Sequence, residues 1–231
     1  MVIGYDLTKN CPGCNPGNDN AELEIGLLNW ELYSSRRHEF IFCSKYWLKD
    51  IISDDINYFK KLINLWILFN GWLTIIVESE SKNIDFDWFL IGTAGWDSYL
   101  IEVFEYKKAN DNKFKDLVLE FKSKWPIISN RGLKEYHLEP WDTEGEKREV
   151  FTKKFHDVNK KLKHISPRCF YDHSGDQYVP LDWAHVIQAI YGVRCDLFHG
   201  GKTHINDPDK YFVKHAFEIL WIVWGKEQLC Q

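Results

Sequence analysis

The stretch YGVRCDLFHGGKT, residues 191–203, sets Arg194, Asp196 and His199 within six positions of an otherwise apolar, helix-like run and then ends it on Gly200 and Gly201. An imidazole can move a proton near neutral pH, and a guanidinium can hold two phosphate oxygens at once, so Arg194 and His199 together suit cleavage of a phosphodiester. RNA would bring its own nucleophile in the 2′-hydroxyl, and such a reaction requires no metal. Five positions at about 100° per residue leave the two side chains roughly 140° apart round the axis, so both can border one groove without touching. A plainer account covers part of the pattern. Gly200 suits the left-handed conformation that ends helices, and a histidine beside free carbonyls is favoured by the helix dipole. That account leaves Arg194, with its apolar neighbours, unexplained.

Four further residues attach to this pair. Asp196 is a candidate to orient the histidine or the arginine. Asn70 interrupts the apolar run LWILFNGWL and needs a hydrogen-bond partner if buried, either as a support for Arg194 beneath a cleft or as a satisfied structural amide. Lys202 and His204 follow the glycines and can contact phosphate, although exposed residues after a helix end often have no specific partner.

The elements that must position these groups read as helices. A chain of 231 residues with 45% hydrophobic content has ample material for one main domain, expected over residues 21–231 behind an irregular arm at 1–20 that carries NCPGCNPGNDN. From Ala21, Leu23, Leu27, Leu28 and Trp30 recur at near-helical spacing, followed by a short apolar piece, IFCSKYWLKDII. The strongest helix is expected after a cap at Ser53 or Asp54 and runs through INYFKKLINLWILFNGWLTIIVES, apolar nearly all round after Lys61. A looser helical pattern follows over DFDWFLIGTAGWDSYLIEVFEYKK, then NKFKDLVLEFKSKW up to Pro126. Residues 127–180 are polar and broken by Pro140, Pro167 and Pro180, with one short helix expected over EVFTKKFHDVNKKLK. LDWAHVIQAIYGVRCDLFH and DPDKYFVKHAFEILWIVWGKEQL complete the set, the last capped by Asp207 with Pro208 at its first position. Alternating strand patterns are sparse, so the expected fold is an all-α bundle with an irregular insertion before the motif helix.

Two stretches now gain weight together. VRCDLFHGGK resembles the R-x4-6-H signature of the HEPN superfamily, and LWILFNGWL on the earlier long helix resembles a stretch that accompanies it in several bacterial branches. The resemblance implies a helical bundle that forms a homodimer, with the Arg–His motifs of two subunits meeting in one cleft. Many such proteins are metal-independent endoribonucleases of host defence, including toxin–antitoxin, abortive-infection and CRISPR-associated systems. By position, Arg194 would stabilise the phosphorane and His199 would transfer protons, leaving a 2′,3′-cyclic phosphate and a 5′-hydroxyl. The partners implied are RNA, a second copy of the chain, and an antitoxin or defence-system component. Cys195 stands where the family often has Asn, Asp or His after the arginine. Gly201 stands where one branch carries a modifiable tyrosine, which argues against regulation by that modification.

Two other classes of function compete: a non-catalytic HEPN-like module that binds RNA, a nucleotide or a protein, and a helical interaction protein. The formal charge of −5 argues against a bulk electrostatic nucleic-acid binder. A basic run, KREVFTKKFHDVNKKLKHISPR, is either a phosphate-facing strip or a solvated helix face. Eleven tryptophans are expected to fill helix contacts and to reach a binding surface. Cys11 and Cys14 have the spacing of a zinc knuckle or redox pair but lack a second such pair, so no metal and no cofactor are expected. HGGKT lacks the spacing of a phosphate-binding loop. Residues 62–77 fall short of the ~20 needed to span a bilayer, and the start MVIGYDLTKN has no signal-peptide pattern, so a cytoplasmic protein without a membrane segment is expected.

Overall fold

The computed structural model describes residues 27–28, 30–55, 57–78, 86–128, 165–167, 179–198 and 207–230. They form an all-α bundle: α1 (Trp30–Ile52), α2 (Tyr58–Ile76), α3 (Phe86–Trp96), α4 (Ser98–Asn110), α5 (Asn112–Lys122), α6 (Trp183–Phe198), α7 (Asp207–Leu220) and a final turn, α8 (Lys226–Leu229). Two antiparallel ladders of two residues per strand trim the bundle. β1 (Leu27–Leu28) pairs with β2 (Val77–Glu78), and β3 (Ile127–Ile128) with β4 (Ile165–Ser166). The N-terminal arm with Cys11 and Cys14, the expected helix start at Ala21 and the short helix expected near 149–163 lie outside the described residues.

Sequence and structure part in several places, each for a local reason. Leu27 and Leu28, expected on the helix from Ala21, instead pair with Glu78 and Val77 as β1. Helix α1 starts at Trp30 and runs without a break through the apolar piece IFCSKYWLKDII, because Tyr33, Phe40, Ser44 and Ile51 keep one buried face running past Arg36 and Arg37. Helix α2 is capped by Asn57, not Ser53 or Asp54: the Asn57 side-chain oxygen accepts from the Lys60 amide at 3.0 Å, and its carbonyl from Lys61 at 3.1 Å. Ser53 instead accepts from Asp55, inside the preceding turn. Nor is α2 buried all round. Leu62, Leu65, Trp66, Phe69, Trp72, Leu73 and Ile76 face the core, while Ile67, Gly71 and Thr74 form a solvent-exposed stripe.

The looser helical run after residue 86 is two helices, broken where Asp97 turns its carboxylate back onto the chain. One Asp97 oxygen accepts from the Leu100 amide at 2.9 Å and the other from the Trp30 indole at 3.1 Å. Asp111 ends α4 and starts α5, accepting from the Lys113 and Phe114 amides. The C-terminal helix, expected to be continuous, passes through a π-helical turn at Trp221–Gly225 before α8.

The core is built from rings. Trp72 of α2 is stacked on Phe69, with centroids 5.7 Å apart, and meets Trp30 and Tyr33 of α1 and Trp224 of the π turn at 5.4, 5.9 and 5.5 Å. Each large side chain removed from water here contributes on the order of 1.5–3 kcal/mol. Three of the tryptophans, Trp30, Trp72 and Trp224, meet in these contacts.

Candidate functional site

Helix α6 begins at a cap that uses one carboxylate oxygen twice. Asp182 Oδ1 accepts from the His185 amide at 3.0 Å and faces the His185 ring Nδ1 at 2.5 Å. The next residue anchors the helix to α3: the buried Trp183 indole donates to the Ala94 carbonyl at 2.8 Å. There α3 presents Gly95, where a Cβ would come within 3.3 Å of Ala184 and Ile187. Further along, Gly192 lets Ser166 of β4 approach so closely that a Cβ would lie 2.7 Å from it. Two close approaches thus fix the rotation of α6, and with it the direction in which its last turn faces.

Arg194 stands in that last turn, half-buried, among aromatic rings. Its guanidinium carbon lies 4.6 Å from the ring centroid of Phe198, 5.6 Å from Trp66 and 5.7 Å from Tyr191. Tyr191 and Phe198 sit three residues before and four after the arginine, the spacings that bring side chains together on a helix. Trp66 comes from α2. Trp66 and Tyr191 are buried, whereas Phe198 is 46% exposed, so the cluster is closed on the core side and open on the other. Ring faces attract a cation through their quadrupole and so fix where this charge sits.

Cys195 borders this cluster. Arg194 Nη1 lies 3.7 Å from its sulfur. Burial pushes the Cys195 thiol up, against the opposing pull of the Tyr191 hydroxyl and the Arg194 charge. It therefore stays a protonated neighbour of the arginine and is a poor nucleophile.

Asp196 is only 4% exposed and lies roughly 160° round the helix from Arg194, given about 100° per residue. Asn70 is half-buried on α2, one turn beyond Trp66, and its carbonyl accepts from the Thr74 hydroxyl at 2.8 Å. The fully buried amide on that helix is Asn64, which donates to Asp50 at 3.2 Å and ties α2 to α1. His199, Lys202 and His204, with Gly200 and Gly201, lie outside the described residues. The structure thus brings together Arg194 and three rings, of which Tyr191 and Phe198 are legible from their spacing. Trp66 gave no sequence signal for this role, since one more tryptophan on an apolar helix reads as core.

No protein-family model, curated protein or solved structure matches the chain. Among the described residues, no group of three or more His, Cys, Asp and Glu side chains is placed to hold a metal ion, and no helix is long and apolar enough to cross a membrane. What the arrangement offers chemically is a fixed cation at a helix end, flanked by an accessible aromatic face.

Proposed function

We propose that this chain is a metal-independent endoribonuclease of the HEPN type, with Arg194 and His199 as its catalytic residues and a homodimer as its working form. In this reading the 2′-hydroxyl attacks the adjacent phosphorus, His199 takes the proton as the new P–O bond forms, and the 5′-oxygen leaves as a hydroxyl as the resulting imidazolium gives that proton to it. Arg194 holds the non-bridging oxygens while charge accumulates on them. RNA is left with a 2′,3′-cyclic phosphate and a 5′-hydroxyl. The observation that carries the reading is the packing of Arg194: its guanidinium sits against three ring faces in the last turn of α6, five residues before a histidine. Defence or toxin-like biology and an antitoxin partner belong to the same reading and rest on the sequence resemblance.

The same ring packing favours one alternative, in which Arg194 anchors a bound phosphate and nothing is cleaved. End-labelled single-stranded RNA incubated with the purified protein in EDTA separates the two. Cleavage with cyclic-phosphate ends, lost in Arg194→Ala and His199→Ala, is the expected outcome. Intact RNA across a varied pool, with both variants folded like the parent, would reject catalysis and leave the phosphate-binding module.

A further inference from the structure

Helix α1 has two unlike faces. Tyr33, Phe40, Ser44 and Ile51 are buried against the bundle and hold the helix in place. On the opposite side Phe42 is 68% exposed and Tyr46 is 78% exposed, the two most exposed large apolar side chains among the described residues. They are one turn apart, with His38, Lys45 and Lys49, also exposed, in the same sector of roughly 100°. Lys45 Nζ lies 5.7 Å from the Phe42 ring centroid, and Tyr46 meets the half-buried Trp47 edge-on at 5.8 Å. Between His38 and Lys49 the exposed formal charges are Lys45 and Lys49 in this sector and Glu39 at its edge, with Glu31 on the same side nearer the start of α1 and Arg36 roughly 120° away round the axis. The nearby Asp50 is engaged by Lys60 at 2.7 Å and by Asn64. A chain of formal charge −5 therefore carries a locally cationic, ring-bearing strip.

We propose that this face of α1 binds single-stranded nucleic acid, with Phe42 and Tyr46 stacking on bases and Lys45 and Lys49 following the phosphates. Alternating rings and lysines over a helix length of roughly 16 Å, from His38 to Lys49, match a strand of a few nucleotides. Accessible π-faces accept any base, and ammonium groups accept any phosphate, so the strip is indifferent to sequence and to the sugar. Lysine is depleted in protein–protein interfaces, which argues against a protein occupant. An interfacial membrane helix separates an apolar face from its charged face, whereas here the lysines share a sector with the rings. The inference goes beyond the ribonuclease reading and does not need catalysis.

The test is fluorescence anisotropy of a labelled single-stranded DNA 15-mer titrated with the full chain. DNA has no 2′-hydroxyl, so failure of the ribonuclease reading leaves the measurement intact. Phe42→Ala and Tyr46→Ala should each weaken binding about fivefold or more. Lys45→Glu with Lys49→Glu should weaken it further and flatten the dependence of log K on log salt by about 0.7 for each lysine lost. All four side chains are exposed, so unchanged helical circular dichroism will mark the variants as folded. No binding by the parent, equal affinity in every variant, or a duplex bound as tightly as the single strand would overturn the proposal. So would loss of self-association or of binding to anionic vesicles in the ring variants without an effect on the oligonucleotide.

Discussion

One run of rings links two ends of the molecule that behave differently. From Trp72 it passes through Phe69 to Trp66, with centroids 5.7 and 5.6 Å apart, and from Trp66 to Tyr191 at 5.9 Å. At the Trp72 end four rings, from Trp30, Tyr33, Phe69 and Trp224, meet Trp72, which itself has 0% exposure. At the Tyr191 end the run closes round a guanidinium and stops at the exposed Phe198. The same residue type therefore serves as filler at one end and as the frame of a charge at the other. Burying apolar area stabilises the fold in proportion to its extent. Framing a cation contributes less to stability and instead fixes where a charge sits.

The widest gap should separate substitutions at the two ends. Trp72→Ala removes the residue on which α1, α2 and the π turn converge, and about 3–5 kcal/mol of stability should go with it in a denaturant titration. Arg194→Ala should cost about 1–2 kcal/mol, between the worth of an exposed and of a desolvated cation–π contact, and on the ribonuclease reading it should abolish cleavage of RNA. A loss at Arg194 as large as that at Trp72 would break the distinction and make the arginine a core element.

How much of this was legible in the sequence follows the same division. The all-α class could be read from apolar spacing, because α2, α5 and α6 each bury residues three or four positions apart. Arg194 stood out as a charge among apolar neighbours, and Tyr191 and Phe198 lay at contact spacing within its own helix. What could not be read depended on tertiary approach. Trp66 reaches Arg194 only because α2 packs against α6, and the rotation of α6 is set by Gly95 and Gly192, whose near neighbours are remote in sequence. A cap is ambiguous in sequence where several candidates lie close together: Ser53, Asp54 and Asn57 all suit a helix start, and the three-dimensional geometry selects Asn57. Asn70 drew attention by its apolar surroundings, but the exposed stripe of α2 that it borders is visible only in three dimensions.

The rim of the closed end responds to pH. The Tyr99 hydroxyl donates to Glu227 at 2.7 Å beside Trp30, and burial first, then the Glu227 carboxylate, pushes its phenol up to about 12 from the usual 10.0. An unfolded tyrosine loses its proton near 10, whereas folded Tyr99 keeps it, so this contribution is whole below pH 10 and declines as pH rises towards 12. Tyr99→Phe should cost about 1 kcal/mol at neutral pH, the usual worth of one hydrogen bond. Its thermal midpoint should then approach the parent's as the pH passes 10. A gap that stays constant from pH 8 to 12 would mean that the phenol titrates freely and that the rim is as open as Phe198.

The smallest effect tests whether the comparison is confined to the rings. Gly71 lies on α2 next to Trp72 in sequence but on the exposed stripe, and a Cβ added there meets nothing within 4 Å. A glycine in a helix interior retains more freedom in the unfolded chain than alanine does, so Gly71→Ala should stabilise by about 0.4–1 kcal/mol. Cleavage and oligonucleotide binding should be unchanged, because this stripe faces away from both the Trp72 and the Trp66 contacts. Destabilisation by Gly71→Ala would show that a partner closes on this side of α2, and that the rings beneath it are not enclosed by the chain alone.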